Sequence, residues 1–495
     1  MSWGAEAVSL PSGLMNSDLR EYYSRLLANG YVAHLLMIAG FLLAFLLVAR
    51  LMSEKRAPAN TFAWLLAILF IPYLGVPLFL LFGGRKLRRL AGLKSPLLPT
   101  LPKALQGPTA HAGSPVAHTV VAAGGCAPVS GNQVRLLPTG EEEFAELERH
   151  IRGAKHTIHI TTFILGRDEV GRRIVHLLAA RARAGVKVRL LLDALGCLTT
   201  RASFVNPLRE AGGEIGRFMP VLPVTSRSSA NLRNHRKLAI FDHRTAIIGG
   251  RNLAREYMGP TAYRKRWRDL GTLIEGPAVA LLNEIFLADW CFATRASLEE
   301  LHKEIPAGSA ENRGTAELQV VASGPDVRGD PLYEGIIAMI QEAEQRICIV
   351  TPYFIPDEVL LRSLMVKARA GREVTLIVPA HSNHPVTDFA RRFYTRELRR
   401  AGGNVLLYSE GMMHCKAIIV DGRIGLLGSA NFDLRSLFVN FEVGVVVHSA
   451  AEVQRMREWA EELIEHCVAA PDRTNERRIL VGLVEELSRL LAPLL

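Results

Sequence analysis

Two stretches of this chain carry a histidine, a lysine and an asparagine at the same spacing, a set suited to attack on a phosphodiester. The first runs His235-x-Lys237, Asp242, Gly249, Gly250, Asn252; the second runs His414-x-Lys416, Asp421, Gly428, Ser429, Asn431. Each reads as a β-hairpin, an apolar strand turning at its aspartate into an apolar return strand. Side chains alternate faces along a strand, so His and Lys share one face and the residue between them takes the other. With Gly422 and Arg423 as the turn pair, His414 faces Asn431 and Lys416 faces Ser429. With Asp421 and Gly422 as the pair, the register moves by two and the same residues still share a face. Asp242 and Asp421 then face away, which suits fixing the turn better than chemistry. Gly250, where the second stretch has Ser429, removes one hydroxyl donor.

One imidazole of such a pair can attack phosphorus to form a phosphohistidine. The other protonates the leaving alkoxide and later deprotonates the acceptor. Lys237 and Lys416, with Asn252, Asn431 and Ser429, would neutralise charge on the phosphoryl oxygens. Each histidine also needs a carboxylate on its other ring nitrogen; Asp269 in WRDL and Glu442 in NFEV are the candidates downstream. A lone His-x-Lys in a hairpin is ordinarily a surface pair. A second copy with the same seventeen-residue His-to-Asn interval favours catalysis. The six cysteines (Cys126, Cys197, Cys291, Cys348, Cys415, Cys467) form no C-x-x-C pair and no Cys/His cluster. Neither a zinc site nor a disulfide framework is expected, and no cofactor.

The elements that must position these residues are also written twice. IRGAKHTIHITTFIL, ARAGVKVRLLLD, AGGEIGRFMP and HRKLAIFDHRTAIIGGRN are followed, in the same order, by IQEAEQRICIVTPYFI, KARAGREVTLIVP, AGGNVLLYSE and HCKAIIVDGRIGLLGSAN. Offsets of 179 to 190 residues mean a duplicated domain rather than a solenoid. Apolar β-branched runs alternate with helical stretches, which predicts an α/β fold with a largely parallel core sheet in each copy. The expected domains are residues 134–305 and 316–470, packed about a pseudo-two-fold axis with the two His-Lys surfaces facing across a cleft.

Two apolar runs, residues 31–49 and 61–82, are each long enough to cross a bilayer core of about 30 Å. They predict a transmembrane hairpin over 31–82, after an N-terminal segment 1–30. More basic residues follow the second run (Arg85, Lys86, Arg88, Arg89, Lys94) than lie between the runs (Arg50, Lys55, Arg56), which places the body in the cytoplasm. Residues 83–133, rich in Pro, Gly, Ala and Ser, read as a linker. Residues 475–495 read as an amphipathic helix, docked on the body or lying on a membrane. A net charge of +11 over 495 residues suits an anionic partner, nucleic acid or acidic lipid headgroups.

The two stretches resemble the HxKxxxxDxxxxxxG[GS]xN motif of the phospholipase D superfamily. More of the chain, from about residue 30, is similar to bacterial cardiolipin synthases. The similarity lies in RAPANTFAWLLAILFIPYLGVPLFLLFGGRK, GGRNLAREYMG, WRDLGTLIEGPAV, TPYFIPDE, SNHPVTDFARRFYTREL, GSANFDLRSLFVNFEV and SRLLAPLL. The resemblance implies two phospholipase D-like domains, a metal-independent phosphohistidine route, and His235 and His414 as nucleophile and acid/base. It implies that Lys237, Lys416, Asn252, Asn431 and Ser429 hold phosphate, with Asp242 and Asp421 as motif members. Family habit favours the N-terminal histidine as nucleophile, and the near-symmetry leaves the order open. The implied reaction joins two phosphatidylglycerol molecules into cardiolipin and glycerol at the bacterial cytoplasmic membrane, with other anionic phospholipids as partners and no nucleic acid. The rival readings are a phospholipase D hydrolase, a membrane-tethered nuclease and a non-catalytic scaffold. A scaffold predicts a lost His or Lys in one copy, and none is lost.

Overall fold

The computed structural model describes residues 31–79 in part, and residues 113–220, 232–306, 311–327 and 329–471. The expected N-terminal segment 1–30, much of the linker and the C-terminal helix 475–495 lie outside the described residues. The chain divides into two compact units, Met1–Gly84 and Arg85–Leu495.

In the first unit the helix Pro58–Phe70 stops two residues before Pro72, because a proline disfavours helical backbone in the residue preceding it. Trp64 meets Phe79 edge to face at 5.3 Å, and Ile68 is buried beside them. Tyr31, Phe45, Leu46, Leu66, Leu69 and Phe70 are exposed. No helix of the described residues is long and apolar enough to cross a membrane.

The second unit is built on one continuous sheet. The first copy supplies β1 (Val129–Leu137), β2 (Thr157–Thr162), β3 (Lys187–Asp193), β4 (Glu214–Phe218), β5 (Leu238–Phe241), β6 (Thr245–Gly249) and β7 (Gly271–Glu275). The second supplies β8 (Ala316–Ser323), β9 (Arg346–Val350), a short β10 (Phe354–Ile355), β11 (Glu373–Pro379), β12 (Asn404–Tyr408), β13 (Ala417–Val420), β14 (Ile424–Gly428), a short β15 (Phe432–Asp433), β16 (Glu442–Val447) and β17 (Cys467–Ala469). The sheet order is β17-β12-β11-β9-β13-β14-β16-β8-β1-β7-β6-β5-β2-β3-β4. Read outward from the β8–β1 junction, the two halves carry the same order of corresponding strands, so the duplication is a pseudo-two-fold repeat of topology. The sheet is mixed, which corrects the largely parallel expectation. Only β2-β3-β4 and β9-β11-β12 run parallel, while both hairpins and both central strands pair antiparallel. The parallel strands are the ones joined through helices; the hairpin connections are too short for the crossover that a parallel pair needs.

Each copy has its own apolar core, and a third core joins them. The joint core takes Leu281, Phe286 and Trp290 from the helix Ala278–Thr294, with Val320 and Val350 of the second copy and Trp459 of the helix Ala450–Glu465. Part of the expected linker belongs to this body. The helix Pro115–Ala122, capped by Ser114, buries Val116 and Val120 against Leu332 and Ile336, and β1 begins at Val129. Its apolar stripe is short, and the partners that stabilise it lie some two hundred residues away, so composition concealed it.

Both hairpins turn through three residues rather than two. Phe241 pairs with Thr245 and Val420 with Ile424, a register midway between the two expected ones. Asp242 and Asp421 adopt positive φ (52° and 55°), a conformation aspartate tolerates better than most residues. The Asp242 carboxylate accepts from the backbone N–H groups of Lys155, His156 and Thr157 (2.8, 2.7 and 2.9 Å). Asp421 does the same with Glu344, Gln345 and Arg346 (2.8, 2.9 and 2.7 Å). Each aspartate thus pins a hairpin tip to the start of a neighbouring strand, far from the histidine end. Burial pushes each carboxyl up, but these backbone donors together hold it below the usual aspartate range.

Candidate active site

His235 and His414 lie just before β5 and β13, where the chain leaves the sheet and crosses into the other copy. His235 N–H donates to Phe441 O (2.9 Å) and Phe441 N–H to Arg233 O (2.9 Å). On the other side His414 N–H donates to Arg268 O (2.6 Å) and Arg268 N–H to Met412 O (2.9 Å). Phe441 and Arg268 are the residues before Glu442 and Asp269. Each histidine strand is therefore stitched to the strand carrying the other copy's carboxylate.

The side chains follow that crossing. His235 Nδ1 lies 2.9 and 3.2 Å from the Glu442 oxygens, and His414 Nδ1 lies 2.7 Å from Asp269 Oδ2. Sequence reasoning found both carboxylates, but not that each serves the histidine of the opposite copy. Both carboxylates are fully buried, whereas the His235 side chain keeps 12% exposure and that of His414 keeps 5%. Burial pushes Glu442 and Asp269 up, but His235 and Lys237 around the first, and Lys416 and His414 around the second, hold them below the ordinary range. They stay ionised. A carboxylate on Nδ1 leaves Nε2 of each imidazole for the substrate.

Lys237 Nζ donates to His235 O (2.6 Å); Lys416 Nζ reaches His414 O and lies 2.7 Å from His414 Nδ1. Burial lowers His235, and burial with the Lys416 charge brings His414 to about 3, so both imidazoles are neutral at neutral pH. Burial also takes Lys237 well below the ordinary lysine value and Lys416 to about 8. Lys416 acts electrostatically on His235, and Lys237 on His414, which places the four groups around one space. Activity is therefore expected to fall as pH rises through about 8, where Lys416 loses the proton that makes it cationic. Lys416→Arg should remove the share of that limb due to Lys416, since arginine keeps its proton throughout, and leave the share due to Lys237, which burial also depresses. A pH profile of kcat/KM for both forms checks this; an unchanged limb in the variant would contradict it.

The remaining expected residues divide. Asn252 Oδ1 accepts from Ile164 N–H (3.1 Å), which leaves its amide nitrogen as a donor, and the Tyr257 hydroxyl lies in hydrogen-bond contact with the same amide. Asn431 contacts Asp433, and its buried Oδ1 has no partner among the described residues. Ser429 departs from expectation. Its hydroxyl donates to Glu442 Oε2 (2.5 Å) and accepts from Val443 N–H (3.1 Å), so it holds the carboxylate behind His235 instead of facing a phosphate. Ser429 lies one residue past the end of β14, beside Val443, the residue after Glu442, which puts its hydroxyl within reach of that carboxylate. Gly250 has a reason too. A Cβ there would stand 2.4 Å from Asp269 Oδ1, so the first copy has no room for a serine.

Two arginines went unnoticed in the sequence. Arg236, between His235 and Lys237, donates to Glu442 O (3.0 Å) and pairs with buried Asp289 (2.6 Å). Arg251 donates to Asp269 O and Leu137 O, and pairs with Glu143. Each fixes the backbone of one carboxylate. The second copy has Cys415 and Ala430 in their places. The available signal for the first was Asp289, one of two acids inside the otherwise largely apolar run AVALLNEIFLADWCF. Aromatic rings border both imidazoles. Phe163 meets His235 edge-on at 5.1 Å, and Tyr257 and Trp267 lie 5.3 and 5.5 Å from His414. Among the described residues no group of three His, Cys, Asp or Glu could hold a metal ion.

A duplicated α/β body with paired His-Lys motifs and crossed carboxylates defines a phospholipase D-like protein. The family described as "Cardiolipin synthase, PLD-like domain" matches residues 147–290 and 336–464, and that described as "Phospholipase_D-nuclease N-terminal" matches residues 41–84. The chain is 33% identical over 465 residues to cardiolipin synthase 1 of Bacillus cereus, covering 89% of this chain and 90% of that one. It is 34% identical over 454 residues to the cardiolipin synthase of Geobacillus thermodenitrificans, with the same shares covered. Against the cardiolipin synthase of Listeria monocytogenes it is 30% identical over 483 residues, 94% of this chain and 100% of the relative. The chain belongs to the cardiolipin synthase family. Among solved structures, phosphatidylserine synthase of Haemophilus influenzae matches with a TM-score of 0.54 at 17% identity, over 73% of this chain and 94% of that one, a likeness of fold.

Proposed function

We propose that this enzyme transfers a phosphatidyl group from one phosphatidylglycerol to another through a phosphohistidine on His235, releasing glycerol. The observation that carries the reading is the crossed pairing of each neutral imidazole with a buried, ionised carboxylate, with two lysines beside them. His235 is the better nucleophile because its Nδ1 belongs to Glu442 alone and its ring is the more exposed. Its Nε2 forms the bond to phosphorus as the bond to the headgroup glycerol oxygen breaks. His414, which takes up a proton when the anionic diester arrives beside it, passes that proton to the leaving glycerol oxygen. Lys237, Lys416 and the Asn252 amide neutralise the phosphoryl oxygens. In the second step His414 takes the proton from a free hydroxyl of a second phosphatidylglycerol. That oxygen attacks phosphorus, the P–N bond breaks, and cardiolipin forms.

Each step exchanges one phosphodiester-like bond for another, so the reaction is expected to run both ways. Purified enzyme on labelled phosphatidylglycerol bilayers should give cardiolipin and glycerol, and added glycerol should return cardiolipin to phosphatidylglycerol. Dominant phosphatidic acid in undiluted bilayers would favour a hydrolase instead.

The reading includes a membrane hairpin over residues 31–82, supported by the two apolar runs and by the exposed Tyr31, Phe45, Leu46, Leu69 and Phe70. It anchors the body on the cytoplasmic side, where donor and acceptor lipids are concentrated in two dimensions. Cysteine labelling near Ser53 and on the body tests this; a body reached from outside intact cells would contradict the orientation.

A further inference from the structure

The loop between β3 and the helix Ala202–Glu210 stands at the edge of the cleft and is tightly built. Asp193, the last residue of β3, accepts from Leu195 and Gly196 N–H with one carboxylate oxygen (2.9 and 3.0 Å). Its other oxygen accepts from the N–H of Asn234 (2.9 Å), the residue before His235. The buried Cys197 thiol donates to Phe163 O and accepts from Leu165 N–H (3.3 Å each), and the Phe163 ring is the one that meets His235. Gly196 passes so near that a Cβ there would clash with the same Phe163 carbonyl oxygen. Arg217 donates to the carbonyls of Cys197 and Thr200 (3.0 and 2.6 Å), and Thr200 Oγ1 donates to Leu165 O (2.6 Å). The loop is therefore fixed both to the segment that carries His235 and to the strand end that borders its ring.

This scaffold turns two leucines outward. Leu198 is 68% exposed and Leu195 40%, and they are the only leucines among the large exposed hydrophobic residues described in the second unit. A single exposed leucine is ordinary. Two held out on one short, rigid loop mark a contact surface. Exposed Arg201 closes the loop, a cation placed to meet lipid phosphate.

The position of the loop indicates what it touches. Only a few bonds separate the phosphorus of a phospholipid from its acyl esters. A diester at His235 therefore keeps its chains out of water only if the bilayer surface reaches the mouth of the cleft. We propose that residues 194–201 are a membrane-contact element. Leu195 and Leu198 enter the acyl region beside the cleft, so that a phospholipid is attacked without leaving the bilayer. The proposal rests on the phosphatidyl-transfer reading for the lipid being the substrate; the contact itself is measured without turnover.

Fluorescence quenching on the full-length protein tests it. The protein carries His235→Ala, which keeps the lipids unchanged, and Cys126→Ser with Cys467→Ser, which removes the two thiols that are not buried. It is reconstituted in vesicles of phosphatidylglycerol and phosphatidylcholine, a fraction of the phosphatidylcholine bearing a nitroxide on its acyl chain. Bimane attached to Leu195→Cys or Leu198→Cys should be quenched. The same label on Arg244→Cys, exposed at the hairpin tip away from the histidine end, should not. With His235 intact, a Leu195→Ser, Leu198→Ser double variant should lose turnover of long-chain phosphatidylglycerol in vesicles. That loss should exceed its loss on a monomeric short-chain phosphatidylglycerol by about tenfold or more. Labels unquenched at both leucine positions, or equal losses on the two substrates, would overturn the proposal. So would spin labels at residue 198 that couple between two copies with no acyl-chain quenching, which would assign the leucines to a contact between copies. Quenching at both leucines in an enzyme whose main product is phosphatidic acid would uphold the contact and overturn the transfer reading.

Discussion

Alanine at His235 or at His414 is expected to lower turnover by about 10⁴-fold or more, since each variant removes a group that touches phosphorus or a transferred proton. The two losses should be similar in size although the residues lie in different copies, because neither half-reaction proceeds with one imidazole. The fold should survive. The backbone bonds that place each histidine run through main-chain atoms of Phe441 and Arg268, and three apolar cores remain untouched. Removing the ring leaves Glu442 or Asp269 buried without its partner, at a cost of about 1–3 kcal/mol. Circular dichroism should therefore show native secondary structure with a modestly lower melting temperature. Turnover near the wild-type rate in either variant would rule out a site built from two halves.

Amide substitutions of the carboxylates should come next in size, at about 10³-fold for Glu442→Gln and for Asp269→Asn. The amides keep the shape of the side chains and lose two functions. They no longer stabilise an imidazolium, and they can donate to Nδ1, moving the imidazole proton to Nε2, where a lone pair is needed. The crossed geometry makes a sharper statement. Glu442, in the second copy, acts through His235 of the first, so Glu442→Gln should slow formation of the phosphohistidine. Asp269→Asn should slow proton delivery by His414, and a substrate with a more acidic leaving alcohol should restore most of its rate. The contrast is read by single-turnover kinetics with both substrates. Equal rescue of the two variants would contradict the assignment of partners.

The sequence showed the duplicated body, the two His-x-Lys stretches and both carboxylates, because each is a local pattern written twice. What it did not show depends on contacts between distant segments. The exchange of Asp269 and Glu442 between copies arises where β8 and β1 join the halves into one sheet, and no spacing encodes that junction. The hairpin register fell midway between the two expected ones. Asp421 settles that register by taking three backbone N–H groups from the start of β9, a partner invisible within the hairpin. Arg236 and Arg251 sat in plain view, but their acids, Asp289 and Glu143, lie 53 and 108 residues away. Likewise the helix Pro115–Ala122 looked like linker because its partner helix, Pro331–Glu342, is supplied by the second copy.

The central claim is that the phosphatidyl group rests covalently on a histidine between donor and acceptor. Rapid quench of the full-length enzyme on bilayers of phosphate-labelled phosphatidylglycerol, at alkaline pH to preserve a P–N bond, measures it directly. The account predicts label on the peptide bearing His235 within the first turnover, lost on a chase with unlabelled phosphatidylglycerol as labelled cardiolipin appears. Cardiolipin accumulating with no labelled histidine at any time would contradict it.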